Sequence, residues 1–247
     1  MKQTLKRIIR TVKSVKGNSL AEFATTTALM ATLAATAAPK LSEMSEGAKA
    51  EKSRNELDKL VKQAGQFYQD TADIEGRGRF PGQDKYDRPV TGTAHASSSS
   101  ADHETAILAD LITDGGTFDD YRDGDGADWV SVFATDNPDF PKPTDATLAD
   151  NDTKGTCEDC PGTADSNDPS GNTPSIHVDA DGNYVSKNGH EEWKILFGGE
   201  VVGSQYQDGH FVYQVVKGGG TGDEAYPPVL YVADIENATD FNNLLEP

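Results

Sequence analysis

The residues of this chain that could do chemistry are carboxylates and two cysteines. Between Thr117 and Asp128 five aspartates, Asp119, Asp120, Asp123, Asp125 and Asp128, surround Gly124 and Gly126. Carboxylates this crowded repel one another unless a cation intervenes, and Ca2+ accepts roughly six to eight such oxygens. The stretch is not an EF-hand, because Ala127 stands at the third ligand position counted from Asp123 and no Glu stands at the twelfth residue. A calcium site is therefore set against a solvated acidic turn. A second cluster, Asp179-Ala180-Asp181-Gly182-Asn183, lies between SIHV and YVS. It is expected first as a hairpin tip, since Asp-Gly and Asn supply the positive φ that a tight turn requires. Calcium is the second reading there too.

Cys157 and Cys160 are the only cysteines, within Cys157-Glu158-Asp159-Cys160-Pro161. In an exported protein such a pair is expected as a local disulfide pinning its loop. Redox chemistry needs a lowered thiol pKa, which Glu158 and Asp159 oppose. Zinc would need two further ligands, for which His177, His190 and His210 are scattered candidates. Pro161 occupies the place of the His in a haem-attachment motif. No catalytic constellation emerges, because no strand-turn-helix elbow surrounds any nucleophile. The expectation is a protein that is not an enzyme.

The remaining carboxylate of interest is Glu22, the one charge in Asn18–Ala38. Those 21 residues span roughly 31 Å as a helix, enough for a bilayer core. Within Leu20–Ala38 there are eight Ala and five Thr, and the large apolar side chains are Leu20, Phe23, Leu29, Met30 and Leu33. Small residues at this density suit close packing of helices, with Thr hydroxyls bonding to neighbouring helices. A carboxylate in such a span costs about 2.5–3.5 kcal/mol on the insertion scale unless it finds a partner.

The stretch Lys16–Pro39, KGNSLAEFATTTALMATLAATAAP, resembles the N-terminus of the type IV pilin and type II secretion pseudopilin family. That family has a basic leader ending in Gly, Glu as the fifth mature residue and often Pro as the twenty-second. Counted from Asn18, Glu22 is fifth and Pro39 twenty-second. Asn18 replaces the usual Phe or Met, and Thr and Ala replace much of the usual Leu, Ile and Val. The passage Gln66–Gly82, QFYQDTADIEGRGRFPG, is similar to the helix exit of the same family. The resemblance implies cleavage between Gly17 and Asn18 by a prepilin peptidase and methylation of the new N-terminus. It also implies pairing of Glu22 with the terminal amine of an adjacent copy, and polymerisation by an inner-membrane assembly machinery. The implied locations are the inner membrane first, then a periplasmic or cell-surface filament. Calcium sites in pseudopilin heads add weight to Ca2+ at Asp119–Asp128.

Composition agrees with export and excludes some partners. The formal charge is −19, from 22 basic and 41 acidic residues. Loss of Met1–Gly17, with its six basic residues, would take it to −25. Such a surface repels nucleic acid and anionic lipid, and the basic leader beside an acidic body obeys the positive-inside rule. The alternative for the N-terminus is an ordinary secretory signal cut after Ala35-Thr36-Ala37, before Ala38. The corresponding alternative function is a secreted or membrane-anchored acidic monomer that binds calcium.

The elements expected to position these residues make an α+β, pilin-like fold. Residues 1–17 are read as leader, 18–75 as the membrane and assembly helix, and 76–247 as a loop-rich head. Leu57, Leu60, Val61, Ala64, Phe67 and Tyr68 form an apolar stripe at helical spacing. Pro39 and Gly47 are the expected sites of a kink or local unwinding. A short helix is predicted from Asp102 or His103 to Ile112, with Ile107, Leu108 and Leu111 facing inward and a stop at Asp114-Gly115-Gly116. Pro138–Pro174 is predicted as a long loop. Glu192–Val202, His210–Lys217 and Pro228–Asp234 are predicted as strands, with Gly198-Gly199 as a bulge. Asp128–Phe133 and the Ile176–Val185 hairpin are possible additions to that antiparallel sheet. The tail Asn237–Leu245 is expected as a helical turn or as a cap on a sheet edge.

Overall fold

A computed structural model describes residues 2–90, 99–112, 129–133, 160–163, 171–205 and 211–247; for residues 2–19 and for Glu236 it describes the backbone alone. The chain is α+β, with a long N-terminal helix and a four-stranded antiparallel sheet of order β1-β2-β3-β4. It divides into two compact units, Met1–Ala50 and Glu51–Pro247.

Helix α1, Lys2–Glu75, passes through Gly17, Pro39 and Gly47 without interruption. No local unwinding is seen at Pro39 or Gly47. A proline at this position forfeits one backbone hydrogen bond, and the helical turns on either side persist.

In the second unit, the periodicity of Glu51–Glu75 decides its burial. Leu57, Leu60, Ala64 and Phe67 are buried, with Ser53 and Thr71 extending the same stripe, while Val61 and Tyr68 are half-buried at its margins. Helix α2, Ser100–Ile112, starts at Ser99, whose Oγ accepts from the Asp102 backbone N–H (3.1 Å) and donates to the Asp102 carboxylate (2.6 Å). His103, Ile107 and Leu111, four residues apart, face inward. Leu108, expected inside, is 42 % exposed. One residue past Ile107 is a 100° rotation, which carries it off the buried stripe.

The sheet consists of β1 (Val130–Ser131), β2 (Phe211–Val216), β3 (Val229–Asp234) and β4 (Asn242–Leu245). Every residue of β2 is buried, so both faces are covered. Val212, Gln214 and Val216 share a face with Tyr231 and Ala233, their partners or near-partners in register. This face packs with Ile107, Leu111 and Trp129, and His103 Nε2 meets Gln214 Oε1 at 2.6 Å. The opposite face carries Phe211, Tyr213, Val215, Leu230 and Val232. Here β4 reaches α1, with Asn243 Nδ2 donating to Asp58 (2.9 Å) and Leu245 lying against Gly65.

The tail thus resolves as a 3-10 turn at Ile235–Asn237 followed by edge strand β4. The Asn243 side chain also accepts from the Leu244 N–H (2.8 Å).

Glu192–Val202 is not a strand. Gly189–Leu196 is a helix, α3, followed by coil. Gly189, Glu192 and Trp193 are buried in it, a helical spacing. Its start is fixed by the Glu191 carboxylate, which accepts from the Asn188 backbone N–H at 3.0 Å. Gly198 and Gly199, at φ 66° and 88°, end the helix in the left-handed region rather than forming a bulge. Ile176–Val185 is a turn closed by one bridge, Val178 to Tyr184, and stays outside the sheet. The stop at Asp114–Gly116 lies outside the described residues, as does most of Pro138–Pro174.

Candidate functional site

Two groups of residues carry the site. The first is the segment Leu20–Ala38 of α1. Leu20, Phe23, Leu29, Met30 and Leu33 are 62–75 % exposed, and among the described residues this is one helix long and apolar enough to cross a membrane. Thr25, Thr26, Thr27, Thr32 and Thr36 all donate to carbonyls one turn earlier in their own helix, at 2.7–3.1 Å. The five hydroxyl protons are thus satisfied within the helix itself, and each Oγ1 keeps its lone pairs to accept. Bonding the protons lowers the cost of placing the segment in hydrocarbon, where an unsatisfied polar group costs several kcal/mol. Glu22 is the exception. Its backbone carbonyl accepts from Thr25 and Thr26 (2.9 and 2.8 Å), while its carboxylate has no hydrogen-bond or ion-pair partner among the described residues.

The backbones of Gly17 and Asn18 lie within α1, in unbroken helix. Pro39 lies in the same helix, 17 residues after Glu22.

The second group fixes the C-terminal end of α1 in the head. Arg79 Nε and Nη2 donate to the Glu75 carboxylate at 2.7 and 3.1 Å. Its Nη1 and Nη2 reach the two oxygens of Glu192 at 3.1 and 2.9 Å, and Nη1 also donates to the Gln83 carbonyl (3.1 Å). Glu192 further accepts from the Gly82 N–H (2.7 Å) and meets His177 Nε2 at 3.1 Å. Glu75 accepts from the Ile176 N–H (3.1 Å). All three charged side chains are almost fully buried, Arg79 at 4 %, Glu75 at 3 % and Glu192 at 1 % exposure. Burial by itself would push the Arg79 pKa down, but the carboxylates of Glu192 and Glu75 outweigh it and hold the guanidinium above its usual range. Removing one partner from such a buried set costs about 3–5 kcal/mol.

Around this set the chain is held tightly. The Arg79 N–H donates to Thr71 Oγ1 (3.1 Å) and the Phe80 N–H to Gln83 Oε1 (2.7 Å). Gly82 has φ 85°, and a Cβ there would collide with the Tyr213 hydroxyl. Trp193 lies edge-on to Tyr213, with ring centroids 5.4 Å apart. The arrangement joins α1, the turn after it, the Ile176 segment, α3 and β2 into one unit; chemically it is a clamp, with its charges turned toward one another.

The acidic turn around Asp179 is built from its own hydrogen bonds. Asp179 accepts from the N–H groups of Asp181 (2.9 Å) and Asn183 (2.8 Å) and from the Asn183 side chain (3.0 Å). The Asn183 side chain first, then its backbone, holds the Asp179 carboxyl below the usual range. Asp119, Asp120, Asp123, Asp125 and Asp128 lie outside the described residues, as does Cys157. Cys160 is disulfide-bonded and buried. Among the described residues no group of three or more His, Cys, Asp or Glu is placed to hold a metal ion.

No family model, no curated protein and no solved structure matches the chain.

Proposed function

We propose that the chain is a structural subunit of a filament, either a type IV pilus or a type II secretion pseudopilus. In this reading prepilin peptidase cuts it between Gly17 and Asn18, and it polymerises through α1 in the periplasm or at the cell surface. The observation that carries the reading is Glu22. It is the one charged side chain in an apolar, exposed helical segment whose five threonine hydroxyls are all satisfied internally. An ionisable side chain kept in an apolar helix marks a functional contact with a partner group. The free amine of Asn18 on an adjacent copy is the complementary charge, so the pair would set the register between subunits. The spacing of Gly17, Glu22 and Pro39 supports the same reading.

In the filament α1 is the assembly element and the Glu51–Pro247 unit is displayed. The clamp on Arg79 stabilises the end of the helix, which must bear load in a polymer. Local unwinding near Pro39 or Gly47 belongs to the assembled state in this reading; unbroken helix through both residues in a filament reconstruction would refute that element of it.

The deciding test is the N-terminal residue and mass of the mature protein isolated from the cell envelope. A chain beginning at Asn18, with or without one methyl group, is expected. A chain beginning at Ala38 would remove Glu22 and sink the filament reading in favour of a secreted acidic monomer.

A further inference from the structure

Asn188-Gly189 is the one Asn-Gly pair in the chain. An asparagine followed by glycine can react with its own backbone: the peptide nitrogen of the glycine attacks the side-chain carbonyl carbon, and no Cβ stands in the way. The bond from that nitrogen to Cγ forms, the bond from Cγ to the side-chain nitrogen breaks, and ammonia leaves with the proton of the peptide nitrogen. Water then opens the resulting five-membered imide at one carbonyl or the other. One opening gives aspartate. The other gives isoaspartate, in which the main chain runs through the former side chain and is longer by one methylene.

The fold leaves this reaction open but restrained. Asn188 is exposed, so water reaches it. Gly189 is the first residue of α3, and the N–H groups of a helix's first turn have no carbonyl of their own helix to meet. No helical hydrogen bond therefore has to break to free the attacking nitrogen. Gly189 is buried, so its proton leaves when the first turn opens. The main chain of Asn188 also resists. Its ψ is 152°, extended, and this torsion must turn before the Gly189 nitrogen meets Cγ. The Asn188 carbonyl accepts from the N–H groups of Glu191 and Glu192, both at 3.0 Å, and the Asn188 N–H donates to the Glu191 carboxylate at 3.0 Å. The hydrogen bonds that start the helix thus also hold the pair out of reactive geometry.

We propose that Asn188 is a site of spontaneous covalent modification, timed by the cap of α3 and felt by the clamp. Isoaspartate at this position moves the carbonyl that accepts from Glu191 and Glu192, so the product undoes the turn that slowed its formation. Glu192 and Trp193 follow in the same short helix. Glu192 holds Arg79 at 2.9 Å and Trp193 lies against Tyr213, so ageing at Asn188 loosens the clamp. The site stands independently of the filament reading, since every residue in it belongs to the Glu51–Pro247 unit.

The test is to keep the full chain folded in detergent, in mildly alkaline buffer, and to follow the peptide that carries Asn188 by chromatography and mass spectrometry. That peptide should grow heavier by one mass unit and separate into aspartate and isoaspartate forms before any other asparagine converts. Asn188→Gln should abolish the gain, because closure then needs a six-membered ring. Glu191→Ala, which takes the carboxylate from the Asn188 N–H, should speed conversion by about fivefold, the usual worth of a helix cap. Glu191→Gln, whose amide oxygen still accepts, should fall between the two, and circular dichroism checks that each variant is folded. The isoaspartyl fraction should unfold at lower urea than fresh protein. The proposal is overturned if folded protein keeps Asn188 intact while guanidinium-unfolded protein loses it, if another asparagine converts first, if a folded Glu191→Ala converts at the parent's rate, or if the isoaspartyl form unfolds with the parent.

Discussion

Two regions of this molecule place carboxylates in helices and treat them in opposite ways. In the Leu20–Ala38 segment Glu22 is exposed and its carboxylate has no partner among the described residues, although every threonine near it is bonded to its own backbone. In the head Glu192 is 1 % exposed and its two oxygens meet Arg79, Gly82 and His177. The difference teaches that helix and residue type do not decide what an acid is for; where its partner comes from does. The head closes the charges of Arg79, Glu75 and Glu192 on one another, whereas the Glu22 carboxylate meets no partner among the described residues.

The strongest way to break that comparison is Glu22→Ala. Filament assembly in cells should be lost, while the denaturation curve of the purified protein stays that of the parent. Filaments in normal number would remove the assembly role of Glu22. Reciprocally, Glu192→Ala should lower the stability of the head by about 3–5 kcal/mol, because it leaves Arg79 buried with half of its compensation. Urea unfolding followed by the fluorescence of Trp129 and Trp193 reads this directly; a loss under about 1 kcal/mol would mean that the clamp tolerates an open charge.

A finer cut replaces Thr25, Thr26, Thr27, Thr32 and Thr36 with Val together. If the hydroxyls serve their own helix, membrane insertion and assembly should survive. Abolished assembly with intact insertion would show that the threonines switch partners to bond between helices.

The smallest effect belongs to the Asp179 turn. Its carboxyl is held below the usual range, so its contribution is present above the unfolded value of about 3.9 and is lost as pH falls through the lower folded value. Amide exchange at Asn183 should therefore accelerate selectively in that acid window, and Asp179→Ala should show the fast rate already at neutral pH. Equal rates in both proteins would deny the carboxylate its role.

Helical periodicity was readable where one face alone is buried. The stripe Leu57, Leu60, Ala64 and Phe67 was legible because it repeats over several turns. Strands β2 and β3 were legible from runs of β-branched and aromatic residues. Glu192–Val202 misled for the same reason: Trp193, Ile195, Leu196, Phe197, Val201 and Val202 mimic a strand in composition. Eight residues are too few for periodicity to outvote propensity, and the deciding signal was the Asn188–Glu191 cap. The clamp was invisible as a set, since Arg79 and Glu192 are 113 residues apart.

The sequence by itself determined the long helix, the solitary Glu22 and the apolar stripe, because each follows from spacing along one element. It also determined the two central strands, through local composition. Only the tertiary structure decided that Arg79 is enclosed by Glu75 and Glu192 and that the Ile176 backbone and His177 meet those carboxylates. The physical reason is distance. Periodicity and caps act over a few residues, whereas the partner of a buried charge is chosen by which distant segments the packed core brings within about 3 Å.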